Sequence, residues 1–318
     1  MKKILQFLEY ILSYINKKTV IFSGVLLILP KNVKNIIHDQ NTRSNLFKSL
    51  FSIFVMNISR YSKKKKEAYK KTTFIDDKNK FSFLLDINDY TQCSVYLNSF
   101  GKGHRSLIHQ IRICPNKDTM IDIGANVGFF SLFASHYFSK VISFEPTPQT
   151  FSFLKNNIRL SSIKNITALP YGISNKTGTG IITENPINQG GNSLNLNEED
   201  KLKTDEYSHF SMSDFKKHTI ELVTLDDFIK NNNINNVGFI KIDVEGHEEK
   251  ALQGAKQTLE KFQPIVFCEV TSRKQFTPIS NILGNKYLAF DPINMSEISE
   301  NTSWDFRDVL FMPKDKSY

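Results

Sequence analysis

The chain has 318 residues, 40% hydrophobic and 23% charged, which is enough apolar material for one large core and excludes global disorder. Its net charge of +9 is uneven: residues 1–80 hold 17 Lys and Arg against 5 Asp and Glu, and the remainder holds 24 against 27. An acidic body excludes nucleic acid as substrate, because phosphate contacts need a basic face. Three cysteines (Cys93, Cys114 and Cys268) without C-x-x-C spacing exclude a disulfide framework and a zinc site, and fit a reducing compartment.

Residues 1–16 place Ile4, Phe7, Leu8, Ile11, Leu12 and Ile15 at helical spacing, with lysines before and after. The apolar run 20–29 ends at Pro30 and falls well short of the roughly 20 residues a bilayer crossing needs; no small-residue cleavage site follows it. Two readings stand for this basic segment: a helical cap or partner dock, and an amphipathic strip on the inner face of a membrane. The cap is preferred, because surface attraction of this kind carries no specificity. Residues 31–60 read as helical, and the lysine run 63–66 marks a boundary between an N-terminal extension (1–73) and a catalytic domain (74–318).

From about residue 74 the pattern becomes short strands, at 81–87 and 94–100, which bracket Asp89. A helix or an entry segment is expected over 104–114, and then strands and helices alternate: strand 119–123, helix 129–138, strand 141–144, helix 148–160, strand 165–169. Alternation at this length predicts a mostly parallel sheet covered by helices on both faces. Residues 184–219 interrupt the rhythm, and an insertion of that length is a functional lid or disordered. Strand 220–224, helix 225–230, strand 238–242, helix 248–260 and strand 264–270 follow, and 309–312 is expected to close an antiparallel edge.

The chemistry starts at Asp122-Ile-Gly124-Ala125-Asn126-Val-Gly128-Phe129, a strand end, a glycine turn and a helix start. In a dinucleotide fingerprint a middle glycine lets backbone approach a pyrophosphate. Here Asn126 occupies that place, and the Asp122 carboxylate would repel phosphate while attracting an ammonium or sulfonium. Both features disfavour a nicotinamide cofactor. Glu145, 21 residues after Gly124, ends the next strand, where a carboxylate can accept bonds from two ribose hydroxyls. Asp243 and Glu269 end two further strands, and ligands of open parallel sheets bind beyond such ends.

These segments, with Phe144-Glu145-Pro146, the run from Asn165 to Gly178, Val223-Thr-Leu-Asp-Asp227 and Ile240-Lys-Ile-Asp-Val-Glu-Gly-His-Glu248, resemble the FkbM-type S-adenosylmethionine-dependent methyltransferases over about residues 95–270. The resemblance implies a Rossmann-like class I methyltransferase fold, a seven-stranded sheet with its last strand reversed, to which residues 1–73 would add a helical extension. It implies S-adenosyl-L-methionine as cofactor and a hydroxyl acceptor on a sugar, glycan or related small molecule; the cysteine usage makes the cytoplasm the expected compartment.

Carried over by position, Asp122, Gly124, Ala125, Asn126, Gly128 and Phe129 would form the methionine-side loop, Glu145 with Pro146 the ribose site, and Ser174 a base contact. Asn175 stands where the family often has Asp. Oxygen methylation needs an in-line acceptor and somewhere for its proton to go. Asp243 is expected to matter most, with His247 as candidate general base and Glu245 beside them. Glu269, Ser193 and Arg273 are candidate acceptor contacts. No metal is assigned, although Asp243, Glu245 and Glu269 offer the oxygens a hard cation prefers. The alternative from another class is a catalytically weak, methyltransferase-like scaffold at a membrane surface, disfavoured by the intact acidic and glycine set.

Overall fold

The computed structural model of the chain describes residues 69–314, apart from 77–78, 87–88, 90, 93–94, 96–101, 187, 195–198, 200–201, 203–210, 300–301 and 304–307. The helical readings of 1–60 and the basic membrane-facing strip lie outside the described residues. No helix among the described residues is long and apolar enough to cross a membrane.

Two strands, β1 (Tyr69–Asp76) and β2 (Asn79–Asp86), form an antiparallel hairpin, so the 73/74 boundary read from the sequence falls inside β1. Then come α1 (Lys102–Ile113), β3 (Thr119–Ile123), α2 (Phe129–Ala134), β4 (Lys140–Phe144), α3 (Pro148–Leu160) and β5 (Ile166–Leu169). After these, β6 (Tyr171–Ile173), β7 (Gly178–Thr183) and β8 (Lys217–Val223) make a small sheet of their own, which periodicity did not reveal. The chain returns through α4 (Leu225–Asn231), β9 (Phe239–Ile242), α5 (Glu248–Gln253), α6 (Lys256–Phe262), β10 (Ile265–Glu269), α7 (Arg273–Leu283), β11 (Tyr287–Phe290) and β12 (Asp308–Pro313).

The main sheet has seven strands in the order β11-β12-β10-β9-β3-β4-β5. Only β12 runs against its neighbours; β10, β9, β3, β4 and β5 pair in parallel. The expected antiparallel strand is therefore real but sits inside the sheet, and the edge is β11, which the sequence reading passed over. Val95, a described residue of the expected strand 94–100, is helical instead. The single helix expected over 248–260 is broken at Gly254, where a Cβ would run into the Ser174 carbonyl.

Both faces of the central strands are covered, which is why they read as continuous apolar runs. Ile121, Ile123, Ile142, Phe144, Ile240 and Ile242 point into one core. Met120, Val141 and Phe239 point into the other, with Phe81, Phe83 and Leu85 of β2. Fully burying one such Phe is worth about 1.5–3 kcal/mol. The hairpin is bolted on by polar contacts as well: the Leu84 amide donates to Asn157 Oδ1 at 2.7 Å and the Ser82 amide to Ser161 Oγ at 2.9 Å. Asp76 also pairs with Arg112 and accepts from the Tyr137 hydroxyl at 2.7 Å.

One row breaks the apolar pattern. Ser143, Asp122 and Lys241 are register partners on β4, β3 and β9. They put a polar stripe near the carboxyl ends of three adjacent strands, directly under the glycine turn.

Candidate active site

The Gly124 and Ala125 amides both donate to the Phe144 carbonyl at 3.0 Å, which folds the turn over the end of β4. Gly124 has φ 79° and Gly128 φ 90°, a left-handed region that costs a side chain energy. A Cβ on Gly124 would also collide with the Asp243 carbonyl oxygen, and one on Gly128 would press on Leu154. Asn126, at φ 51°, turns its side chain back so that Oδ1 accepts the Val127 amide at 2.7 Å. This is how a residue with a side chain fits where a fingerprint glycine would stand.

Glu145 is buried and its two oxygens accept one amide each, from Asn126 and Thr147, both at 3.0 Å. Each carboxylate oxygen keeps acceptor capacity, which suits a vicinal diol. Burial pushes its pKa up, against the lowering effect of the Thr147 and Asn126 groups and of Lys241. Asp122 is fully buried: one oxygen accepts from Ser131 Oγ at 2.5 Å, Ser131 itself accepting from Ser143 Oγ at 2.8 Å, and the other faces the Lys241 ammonium at 3.3 Å.

Lys241 is the residue of the candidate site that the sequence reading missed. Its Nζ donates to the Gly124 carbonyl at 2.7 Å, lies 3.3 Å from Asp122 and 3.6 Å from Asp243, and sits 5.9 Å from the Phe130 ring centroid. Burial alone would drive this ammonium towards neutrality, but Asp122, Asp243 and Glu145 together outweigh it and hold its pKa above 10.5. The available signal was a lysine between Ile240 and Ile242 in a strand with no exposed position: a buried cation needs anionic partners.

Beyond β9 the chain turns at Glu245 (φ 51°) and Gly246 (φ 93°). Glu248, fully buried, shapes that turn: Oε1 accepts the Val244 and Gly246 amides, each at 3.1 Å, and Oε2 accepts from Gln275 Nε2 at 2.8 Å. As a result Asp243, Glu245 and Glu269 each bring one carboxylate oxygen within 4.8 Å of the others, all three half-buried. A hard divalent cation or a set of hydroxyl groups is the chemistry such oxygens favour.

His247 is buried, with Nε2 3.0 Å from Ser174 Oγ and Nδ1 without a hydrogen bond. Burial, then the nearby Lys250 charge, lowers its pKa to about 4. Ser193 donates its hydroxyl to the Glu245 carbonyl at 2.7 Å. Pro146 is half-buried at the entry to α3. Two candidates are not drawn in: the Phe129 ring packs among Phe74, Phe81 and Phe83, and the Arg273 guanidinium donates to the Ser299 and Thr302 carbonyls.

A doubly covered sheet with one reversed inner strand, and a glycine turn backed by strand-end carboxylates, defines a Rossmann-like methyltransferase. The chain matches the methyltransferase FkbM domain over residues 122–306 and belongs to that family. It is 27% identical to Methyltransferase 1 of Beauveria bassiana over 177 residues, covering 51% of this chain and 71% of that protein. It is 27% identical to the hexuronic acid methyltransferase AglP of Haloferax volcanii over 149 residues, covering 47% of this chain and 54% of that protein. Among solved structures, methyltransferase FkbM from Methylobacillus flagellatus aligns with a TM-score of 0.41 at 14% identity, over 82% of this chain and 59% of that chain.

Proposed function

We propose that this methyltransferase uses S-adenosyl-L-methionine and methylates a hydroxyl oxygen of a sugar, glycan unit or related small molecule. The carrying observation is one shared wall. The Gly124 turn backs onto the Asp243 carbonyl, so the nucleoside crevice and the three-carboxylate mouth are adjacent. When bound, the cofactor supplies an electrophilic methyl group on a sulfonium. Asp122 and Lys241 set the turn, Gly124, Ala125, Asn126 and Gly128 offer its backbone, and Glu145 takes the ribose hydroxyls. Pro146 stays beside Glu145 at the ribose and Ser174 is assigned to the base end; Phe129 contributes backbone only.

On the acceptor side, Asp243 is the proton acceptor. Its side chain is 43% exposed at the mouth, with Lys241 steadying one oxygen. His247 is a weaker choice, because its lowered pKa makes it a poor base and Ser174 engages its Nε2. Glu245 and Glu269 are assigned to neighbouring hydroxyls, Ser193 fixes the Glu245 backbone, and Arg273 braces the Ser299 and Thr302 carbonyls. AglP, a relative that acts on a hexuronic acid, supports a glycan acceptor. The catalytic unit is taken to begin with β1, at residue 69, and the preceding residues to extend it.

Calorimetry with S-adenosylhomocysteine, followed by transfer of labelled methyl groups to a panel of sugars, tests this reading. Gly124→Ala is expected to weaken cofactor affinity on the order of a hundredfold, since the added Cβ meets backbone at a left-handed φ. An alkali-stable methyl ether supports a hydroxyl acceptor; an alkali-labile ester would move the chemistry to a carboxylate.

A further inference from the structure

The two sides of the crevice are bridged by a short segment that is fastened from a distant part of the chain. Ser193 pairs with Thr183 and donates to the Glu245 carbonyl, on the acceptor side. Asn192 Nδ2 reaches Thr147 Oγ1 at 3.4 Å, and Thr150 Oγ1 donates to Gln189 Oε1 at 3.4 Å, on the ribose side just past Glu145. Residues 188–193 therefore run as a strap between the two walls.

The middle of the strap, a single 3-10 turn at Gln189–Gly191, is held by the segment after β2. The Gln189 amide donates to Asp89 Oδ2 at 2.5 Å, Gln92 Nε2 donates to Gln189 Oε1 at 3.0 Å, and Thr91 Oγ1 donates to Asn188 Oδ1 at 2.6 Å. The other Asp89 oxygen accepts the Gln92 amide at 2.8 Å, and Gln92 Oε1 accepts the Asp86 amide at 2.9 Å. Asp89 is 6% exposed and Gln92 0%. A side chain at Gly190 would run into Thr91, so this clasp is closely fitted.

We propose that Asp89 is a positioning residue for methyl transfer: buried beneath the strap, it holds residues 188–193 across the crevice, and cofactor leaves when the strap lifts and exposes it. The proposal rests on the cofactor reading above. Burial, with a further push from Asp86, raises the Asp89 pKa to about 7 against the lowering effect of the Gln189, Gln92 and Thr91 amides. Among the described residues Asp86 is the charged group acting on it; Gln92 and Thr91 from its own segment and Gln189 from the strap present neutral groups.

With the strap lifted, Asp89 meets water and regains its ordinary value of 3.8. The closed state therefore binds the proton more tightly. Lifting becomes easier as pH rises towards about 7 and stops changing above it, when both states are ionised.

The test is the dissociation rate of S-adenosylhomocysteine from the full chain between about pH 5.5 and about pH 8.5. Wild type is expected to release it faster by on the order of tenfold per pH unit up to about pH 7, then level off. Asp89→Asn should lose that dependence. Glu145, also raised, is present in both proteins, so their difference belongs to Asp89. Gln92→Ala leaves the carboxyl but removes two clasp bonds, and should speed release at every pH while keeping the slope.

An unchanged slope in Asp89→Asn, or unchanged release in Gln92→Ala, overturns the proposal; if Asp89→Asn fails to fold, Gln92→Ala decides. Absence of S-adenosylhomocysteine binding by wild type would instead overturn the cofactor reading, and the proposal with it.

Discussion

Lys241→Met tests whether the buried ammonium organises the site. Lys241 is 4% exposed and Asp122 0%, so removing the cation leaves a carboxylate buried in the sheet with only Ser131, among the described residues, to serve it. Breaking a buried pair in this way costs about 3–5 kcal/mol. Because each kcal/mol moves the midpoint of a domain this size by about 2–4 °C, the melting temperature should fall by on the order of 10 °C. The folded pKa of Lys241 lies above 10.5, so its contribution is whole below that value and is lost only as pH rises through the folded one.

Urea unfolding without cofactor measures it. The double variant Asp122→Asn/Lys241→Met should recover at least about 1 kcal/mol, since neither charge is then left unpaired. A single variant within about 1 kcal/mol of wild type, or a double variant no better than the single one, would refute the reasoning.

Two further outcomes follow from the site. Asp243→Asn is expected to remove most turnover in the labelled-methyl assay while S-adenosylhomocysteine affinity stays within about tenfold; lost affinity would place Asp243 with the cofactor. The His247 pKa is depressed from 6.5 to about 4, so the neutral ring stabilises the fold above 6.5, and that contribution fades as pH falls towards 4. It amounts to at most about 3.4 kcal/mol. His247→Gln should flatten the acid limb of the melting temperature, and an unaltered limb would show that other groups govern it.

Much of the candidate site was legible because the residues that build it are contiguous. Asp122 to Gly128 is one strand end and one turn, so chain spacing alone places its backbone, and the amides of Asn126 and Thr147 converge on a Glu145 that ends the neighbouring strand. The strand-end carboxylates were likewise visible, because a parallel sheet brings successive strand ends to one side. The inner position of β12 was not, since an edge strand and an inserted one share the same apolar run and only pairing distinguishes them.

Residue order along the chain was enough to specify the glycine turn, the acidic strand ends and the βαβ order, because each depends on local geometry and short periodicities. Tertiary structure decided what depends on depth and on distant partners. It buried Lys241 between Asp122 and Asp243, withdrew the Phe129 ring into the core and tied Arg273 to carbonyls. It also clasped Gln189 to Asp89 across 100 residues of chain. Whether a charge is paired, and whether a polar side chain faces solvent or another segment, is a property of packing that spacing along the chain does not carry.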